Sequence, residues 1–385
     1  MSIATTLEER RAIAETVRKL LAEESGEKSV RAIMETKEGI DRELWAGLAQ
    51  MGIAGLIVPS RFGGAGLGPV ELELVAEETG AALACTPFLS SSVLAAGLLI
   101  ASGDEAACAR LLPGIAAGTT IATAALTGER GTWRPEDVAI TAEGVAITAE
   151  GANGAAFLSG TASYVMHAGL ADMLLVVART QDGLGLFEVA PRHSGIAIEA
   201  LPTFDRTLRL DRLTFARVPA TQIGGEGRPA IDAALRLALV ARAGEQAGGA
   251  RRIFDMTVDY TKTRIQFGRP IGGFQAIKHM AAELLLEAES ATSAARDAAL
   301  QLAQDEDSAD EAIDLAAFAC ADAFAKIAAT AIQMHGGIAF TWEHPAHLYL
   351  RRARAYSYLL GSSDLYRDRF LTRISAQPHA ASVAP

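Results

Sequence analysis

RIQFGRPIGGFQAIKH, Arg264 to His279, breaks a long Ala-rich helical run, and the architecture can be worked out from the segments around it. Arg264 and Arg269 flank Phe267 and Gly268, so two fixed cations stand beside a residue without a side chain, where a backbone can come close to an anion. The planar fork of arginine suits bidentate phosphate binding, and a dinucleotide or coenzyme A pyrophosphate is one natural guest. Helix ends carrying surface arginines explain the same residues without a ligand, so both readings stand at this point.

On either side of this break the pattern is helical. Ile231 to Arg264 and Ala276 to Leu302 are Ala-rich with mixed charges and too long for strands, and the helical signal continues to Leu371. Gly268, Gly272, Gly273, Gly336 and Gly337 mark the corners of a bundle. Upstream, from about Ile121, short apolar or alternating segments appear: Val145 to Thr148, Met173 to Ala178, Leu184 to Val189 and Leu213 to Phe215. Gly, Asp, Asn and Pro separate them, as in strands and turns. Further upstream, Leu7 to about Ala117 reads as helices. There a Gly-rich loop at Pro59 to Pro69 precedes an amphipathic pattern at Glu71 to Glu78, and Asp104 is placed to cap a helix after Gly103. The expected units are residues 1–120, helical; 121–228, a small β unit; and 229–385, a helical bundle. The tail from Gln377 to Pro385 reads as frayed.

Composition narrows the function classes. With 385 residues, half of them hydrophobic and 21% charged, the chain is large enough for two or three structural units and far from the disorder signature. Its 35 basic against 46 acidic residues give a net charge of -11, which offers no overall field toward nucleic acid or an anionic membrane. Cys85, Cys108 and Cys320 are far apart and lack metal-ligand spacing, so they read as reduced thiols with no metal. Met1 to Arg10 lacks the apolar run of a secretory signal, and apolar stretches such as Ala95 to Ile100 are short for a bilayer span. The expectation is a cytoplasmic protein without membrane insertion.

Two further segments hold candidate chemistry. QMHGGIAFTWEHP, Gln333 to Pro345, sets a Gly-Gly pair beside an amide donor, His335 and two aromatic residues; a tight helix corner explains the glycines as well. YLLGSSDLYRDR, Tyr358 to Arg369, reads as a strand or loop remnant feeding a helix capped by Ser362 or Ser363, with Asp364 in its first turn. There is no Gly-x-Ser-x-Gly elbow, Walker loop or Rossmann glycine pattern after a strand, and FGGAG at Phe62 to Gly66 lacks the context of a nucleotide fold.

Taken in order, these motifs resemble the acyl-CoA dehydrogenase family over about Leu7 to Thr372. Pro59 to Gly80 is similar to its P-x-x-[YF]-G-G-x-G stretch and following helix, and ALTGERG, Ala125 to Gly131, is a weaker relative of its C-x-T-E-P-x-A-G-S-D loop. Phe157 to Arg179 resembles L-N-G-x-K-x-W-I-T-N-G-x-x-A-D. Arg264 to Gln275 is similar to R-x-Q-F-G-x-P-I-x-x-F-Q, and Gln333 to Phe340 to Q-x-x-G-G-x-G-[YF], apart from Ala339 at its last Gly. The resemblance implies an α+β fold of N-terminal helices, a central β-barrel-like domain and a C-terminal four-helix bundle. It also implies FAD shared between subunits of a homodimer or homotetramer, an acyl-CoA substrate, α,β-dehydrogenation with hydride transfer to flavin N5, and an electron-accepting flavoprotein as partner. By position, Thr127 and Tyr164 would approach the flavin ring, and Met166 replaces the usual Thr. Arg264, Gln266, Phe267, Phe274 and Gln275 would address the partner's FAD; Gln333, Gly336 and Gly337 would cradle its adenine and pyrophosphate portion, with Ser362 nearby.

The departures are specific. Gly128 and Glu129 replace Glu-Pro, Trp133 falls at the usual small Ser, and Ala162 replaces a Lys. The usual catalytic glutamate is Leu360 here, and the alternative site on the first long C-terminal helix is Ala238, followed by Leu239 in place of an Arg. Glu245 lies about two turns beyond Ala238 on roughly the same face, about 10 Å along the axis; it is the fallback base, with a satisfied helix or interface carboxylate as the ordinary role. Three functions are therefore open: a dehydrogenase in its own right, a base-deficient subunit in a heteromer with a Glu-bearing paralogue, or a flavoprotein that performs elimination or desulfination on a CoA thioester.

Overall fold

The computed structural model describes residues 5–144, 155–304 and 309–376. The strand expected at Val145 to Thr148 and the tail from Gln377 lie outside the described residues.

The N-terminal region comprises α1 (Leu7–Glu24), α2 (Glu27–Glu35), α3 (Arg42–Gln50), α4 (Pro69–Ala81), α5 (Ala96–Ala101) and α6 (Glu105–Ala116). Local signals set their starts. Thr6 and Glu9 form a reciprocal capping box on α1, Pro69 opens α4, and the Asp104 carboxylate accepts from Ala107 N at 2.9 Å to cap α6. Phe88 to Ala95, leading into α5, is a π-helical turn with every side chain buried.

The amphipathic reading of Glu71 to Glu78 is corrected here: Glu71, Glu73 and Glu78 are buried along with Leu72, Val75 and Ala76. The α4 helix is enclosed because it lies unusually close to α7 (Gly227–Thr263). A Cβ at Gly80 would stand 2.1 Å from Glu245 O, and one at Gly248 would stand 1.8 Å from Glu77 O. Only glycine permits this approach.

The middle unit holds β1 (Ala122–Ala125), β2 (Thr141–Glu143), β3 (Ala155–Met166), β4 (Met173–Thr180), β5 (Gly183–Val189), β6 (Ile196–Ala200) and β7 (Leu210–Ile223). Its order is β1-β4-β2-β3-β7-β5, and because β5 also pairs with β4 the sheet closes on itself; β6 adds to β7. Ile140, Leu158, Val176, Phe187, Leu213 and Phe215 fill the inside. The β3–β7 register slips between Ala162 and Val165. Tyr164 lies in this bulge with φ +61° and is 45% exposed between buried neighbours, which turns its ring outward.

After α7 come β8 (Ile265–Gln266), β9 (Arg269–Pro270), α8 (Gln275–Gln304), α9 (Ala309–His335), α10 (Ala346–Tyr356) and α11 (Ser363–Ala376). The α7, α8 and α9 helices pack through Ala-rich faces around Cys320, Phe324 and Ile327. The expectation that all apolar stretches are short needs correcting for α9. Ala309–Phe340 is long and apolar enough to span a bilayer, and 56% of its most apolar window is buried inside the protein. The three cysteines are free and buried.

Candidate functional site

The R-x-Q-F-G segment folds as a two-residue hairpin. Phe267 at φ +52° and Gly268 at φ +77° make its turn, and Gln266 pairs with Arg269 across it. Phe267 is 92% exposed, its only ring contact among the described residues being an edge contact with Phe274, and Arg269 lies over Phe274 at 4.1 Å. Arg264 and Gln266 point outward and have no side-chain partner among the described residues. The Gln333 corner sits at the same end of α7: Tyr260 stacks on His335 at 4.5 Å and donates to its carbonyl at 3.3 Å. Gly336, at φ +66°, and Gly337 have open space where a Cβ would stand. The structure thus gathers Arg264, Gln266, Phe267, Phe274, Gln275, Gln333, Gly336 and Gly337 on one outward-facing end.

Tyr164 and Ser362 lie elsewhere, in a cavity of about 740 Å³ between the barrel and the α10–α11 corner. That volume suits a cofactor ring. Trp133, Phe204, Tyr358 and Leu359 also line it, and Arg130, Arg134 and Arg354 bring cations without a partner among the described residues. Gly131, at φ +75°, lies so close beneath Tyr164 that a Cβ there would be 1.9 Å from the ring. Thr127 and Met166 are buried behind this wall. Thr127 Oγ1 donates to Ser163 O at 2.6 Å, and Met166 O accepts from Thr123 Oγ1 at 2.5 Å. The cofactor-related residues therefore fall into two groups that do not share a cavity, as expected of a ligand divided between chains. An open glycine corner with unpaired donors and an aromatic-walled cavity fit the parts of FAD.

Of the two readings of Tyr358 to Ser362, strand or loop, the structure has the loop: a tight turn that feeds α11. Leu360 is fully buried at φ +62°, Gly361 has φ +110°, and Ser362 Oγ accepts from Leu365 N at 3.3 Å to start α11. Arg242 of α7 clamps this turn, donating to Leu359 O at 2.5 Å, Gly361 O at 3.0 Å and, across the bundle, Ala317 O at 2.9 Å. Arg242 is fully buried with no acidic partner among the described residues, and burial lowers its pKa. Sequence reasoning missed this clamp; one Arg in an Ala-rich helix gives no sign of where it points.

Ala238 is buried one turn from Arg242 and has no carboxylate of its own. Glu245 belongs to a different assembly. Its Oε2 accepts from Tyr356 OH at 2.5 Å and its Oε1 from Thr79 Oγ1 at 3.4 Å. Next in this network, Arg352 Nε binds Asp205 Oδ2 at 2.6 Å, and Thr207 holds both partners. Burial raises the Glu245 pKa, opposed by Arg352 and by the bond from Tyr356. Glu245 is not among the residues lining the cavity. Through Asp205 and Phe204, whose carbonyl binds Arg351 at 3.1 Å, the network ties the 203–208 loop of the cavity wall to α10.

Comparison with known proteins agrees with this geometry. Residues 7–119 match the acyl-CoA dehydrogenase N-terminal domain and residues 225–374 the C-terminal domain. Acyl-CoA dehydrogenase IpdE2 of Mycolicibacterium smegmatis is 33% identical over 356 residues, 92% of this chain and 95% of the relative. Among solved structures, the ChsE4–ChsE5 complex from Mycobacterium tuberculosis superposes with a TM-score of 0.87 at 29% identity, covering 97% of this chain and 99% of that one. A variant of the Tcur3481–Tcur3483 steroid acyl-CoA dehydrogenase superposes with a TM-score of 0.83 at 30% identity, covering 96% and 98%.

Proposed function

Because the chain belongs to the acyl-CoA dehydrogenase family, whose cofactor is FAD and whose substrates are acyl-CoA thioesters, we propose that it takes part in α,β-dehydrogenation as a base-deficient subunit alongside a Glu-bearing paralogue. The observation that carries this reading is Leu360. The usual place of the proton-abstracting carboxylate holds a buried leucine in an arginine-clamped turn, and a leucine cannot accept the α proton. Ala238 cannot either, and Glu245 is occupied by Tyr356 and Thr79. That two similar structures are two-name assemblies supports a heteromer.

When bound, FAD supplies the hydride acceptor. This chain's residues supply the surroundings. Arg264 and Gln266 would hold the pyrophosphate of a flavin seated against the partner, Phe267 would cover it, and the open Gly336–Gly337 corner would admit its adenine end. The partner's carboxylate would take the proton. A bulky acyl group is the first to assay, since one of the similar structures is described as a steroid acyl-CoA dehydrogenase.

To test this, the chain is purified alone and with its co-purifying partner, and both are assayed with bulky and short acyl-CoA esters and an artificial electron acceptor. Turnover by the complex with none by the lone chain is expected. Robust turnover by the lone chain, undiminished in Glu245→Gln, refutes the reading; loss only in that variant would make Glu245 the base.

A further inference from the structure

Two cavities meet at Trp133. Beside the cavity of about 740 Å³ lies a second of about 430 Å³, between the 133–136 loop and helices α7, α9 and α11. Trp133, Arg134 and Leu365 belong to the walls of both, so these three side chains are the partition.

The second chamber has a definite chemistry. Arg134, Arg228, Arg236, Arg369 and Arg373 line it; Arg228 pairs with Glu136 and Asp232, Arg236 with Asp310, and Arg369 and Arg373 with the buried Asp314, whereas Arg134 has no partner among the described residues. Its floor is apolar, with Leu235, Leu239 and Ile313. One unpaired guanidinium, Arg134, beside apolar walls suits a phosphate of an amphipathic ligand. A CoA ester has that form, and for its acyl end to meet a flavin the two chambers must be continuous.

They are separated by a large ring. Trp133 is only 7% exposed and packs in the core cluster that includes Val138, Leu239 and Tyr366. Its indole N–H has no hydrogen-bond partner among the described residues and is not sealed from solvent, so it borders open volume. We propose that Trp133 closes the passage between the arginine-lined chamber and the flavin-side cavity, making residue 133 the determinant that keeps a CoA thioester out of this chain's own flavin cavity. The claim rests on the FAD-binding reading above, and it adds that the chain lacks an open route to its flavin cavity as well as a base.

The test uses the full-length chain with added FAD and the octyl thioether of CoA as an unreactive probe. Calorimetry compares wild type with Trp133→Ser, and with Trp133→Phe as a variant that keeps a ring in the partition; circular dichroism confirms that each is folded. Trp133→Ser is expected to bind the probe at least tenfold more tightly than wild type, with Trp133→Phe close to wild type. Where flavin is retained, its visible spectrum should shift only in the Ser variant. Equal affinity for wild type and Trp133→Ser overturns the partition, as does wild-type binding that already shifts the spectrum. Calorimetry reads the partition whether or not flavin is present, whereas absence of flavin from all three proteins counts against the FAD reading alone.

Discussion

The hairpin and corner at 264–275 and 333–337 can be set against the cavity walls at 127–133, 162–166 and 359–362. The first group is exposed, stays close to the family's motifs and ends in unpaired donors; Phe267 is 92% exposed. The second lines a cavity, with Trp133, Met166 and Leu360 buried in its walls or behind them, where the motif resemblance implies a small residue, a hydroxyl and a carboxylate. On the proposed function these groups would serve different flavins, the first the partner's and the second the chain's own. On that proposal, the surface that would serve a neighbour keeps its chemistry, whereas the cavity that would not carry out the reaction is filled with packing side chains.

The largest expected effect lies in the enclosed half. Arg352→Met leaves Asp205 buried without its cation, and breaking a buried pair in this way costs about 3–5 kcal/mol. Urea unfolding should show that loss, and a loss below about 1 kcal/mol would mean that the 203–208 loop is held by other contacts. In the exposed half, Arg264→Ala should leave the fold intact and weaken FAD retention in the complex by about 1.5–3 kcal/mol, the worth of a hydrogen bond to a charged group. Flavin-to-protein absorbance after gel filtration checks this. Met166→Ala should change retention much less, and the reverse order would invert the comparison.

Two buried titratable groups, Glu73 and His167, give a pH signature. Burial, reinforced by Glu77, pushes the Glu73 carboxyl up to about 8. Its neutral form is favoured in the fold, so its contribution is complete below the unfolded value of 4.5 and is lost as pH rises through about 8. Glu73→Gln should raise stability at pH 9 by an order of a few kcal/mol relative to its effect at pH 5. His167 marks the acid side: burial lowers it to about 4, and its Nδ1 meets Ser90 Oγ at 2.9 Å. Its contribution holds above 6.5 and fades as pH falls toward 4. Thermal melts from pH 4 to 9 on wild type and Glu73→Gln test both limbs. The smallest effect is expected for Glu245→Gln in the complex. An amide still accepts from Tyr356, so turnover should change less than twofold.

Much of the fold was legible in the sequence because helical periodicity is local. The runs at Ile231 to Arg264 and Ala276 to Leu302 correspond to α7 and α8, and the segments at Met173 and Leu184 to β4 and β5. What was not legible depends on distant contacts. The enclosure of Glu73 follows from α4 meeting α7 at Gly80 and Gly248, and the outward turn of Tyr164 from a slip against β7. The exposed half of the site could be read from contiguous motifs. The enclosed half is assembled from separate segments, so neither the Arg242 clamp nor the network from Glu245 to Asp205 had a sequence signature.

The central claim is that this chain lacks its own base, and an anaerobic single-turnover experiment tests it most directly. The lone chain and the complex, each loaded with FAD, are mixed with an acyl-CoA ester that the complex turns over, and the visible flavin absorbance is followed. The complex should bleach, and the lone chain should stay oxidised over the same interval. Rapid bleaching by the lone chain would contradict the account.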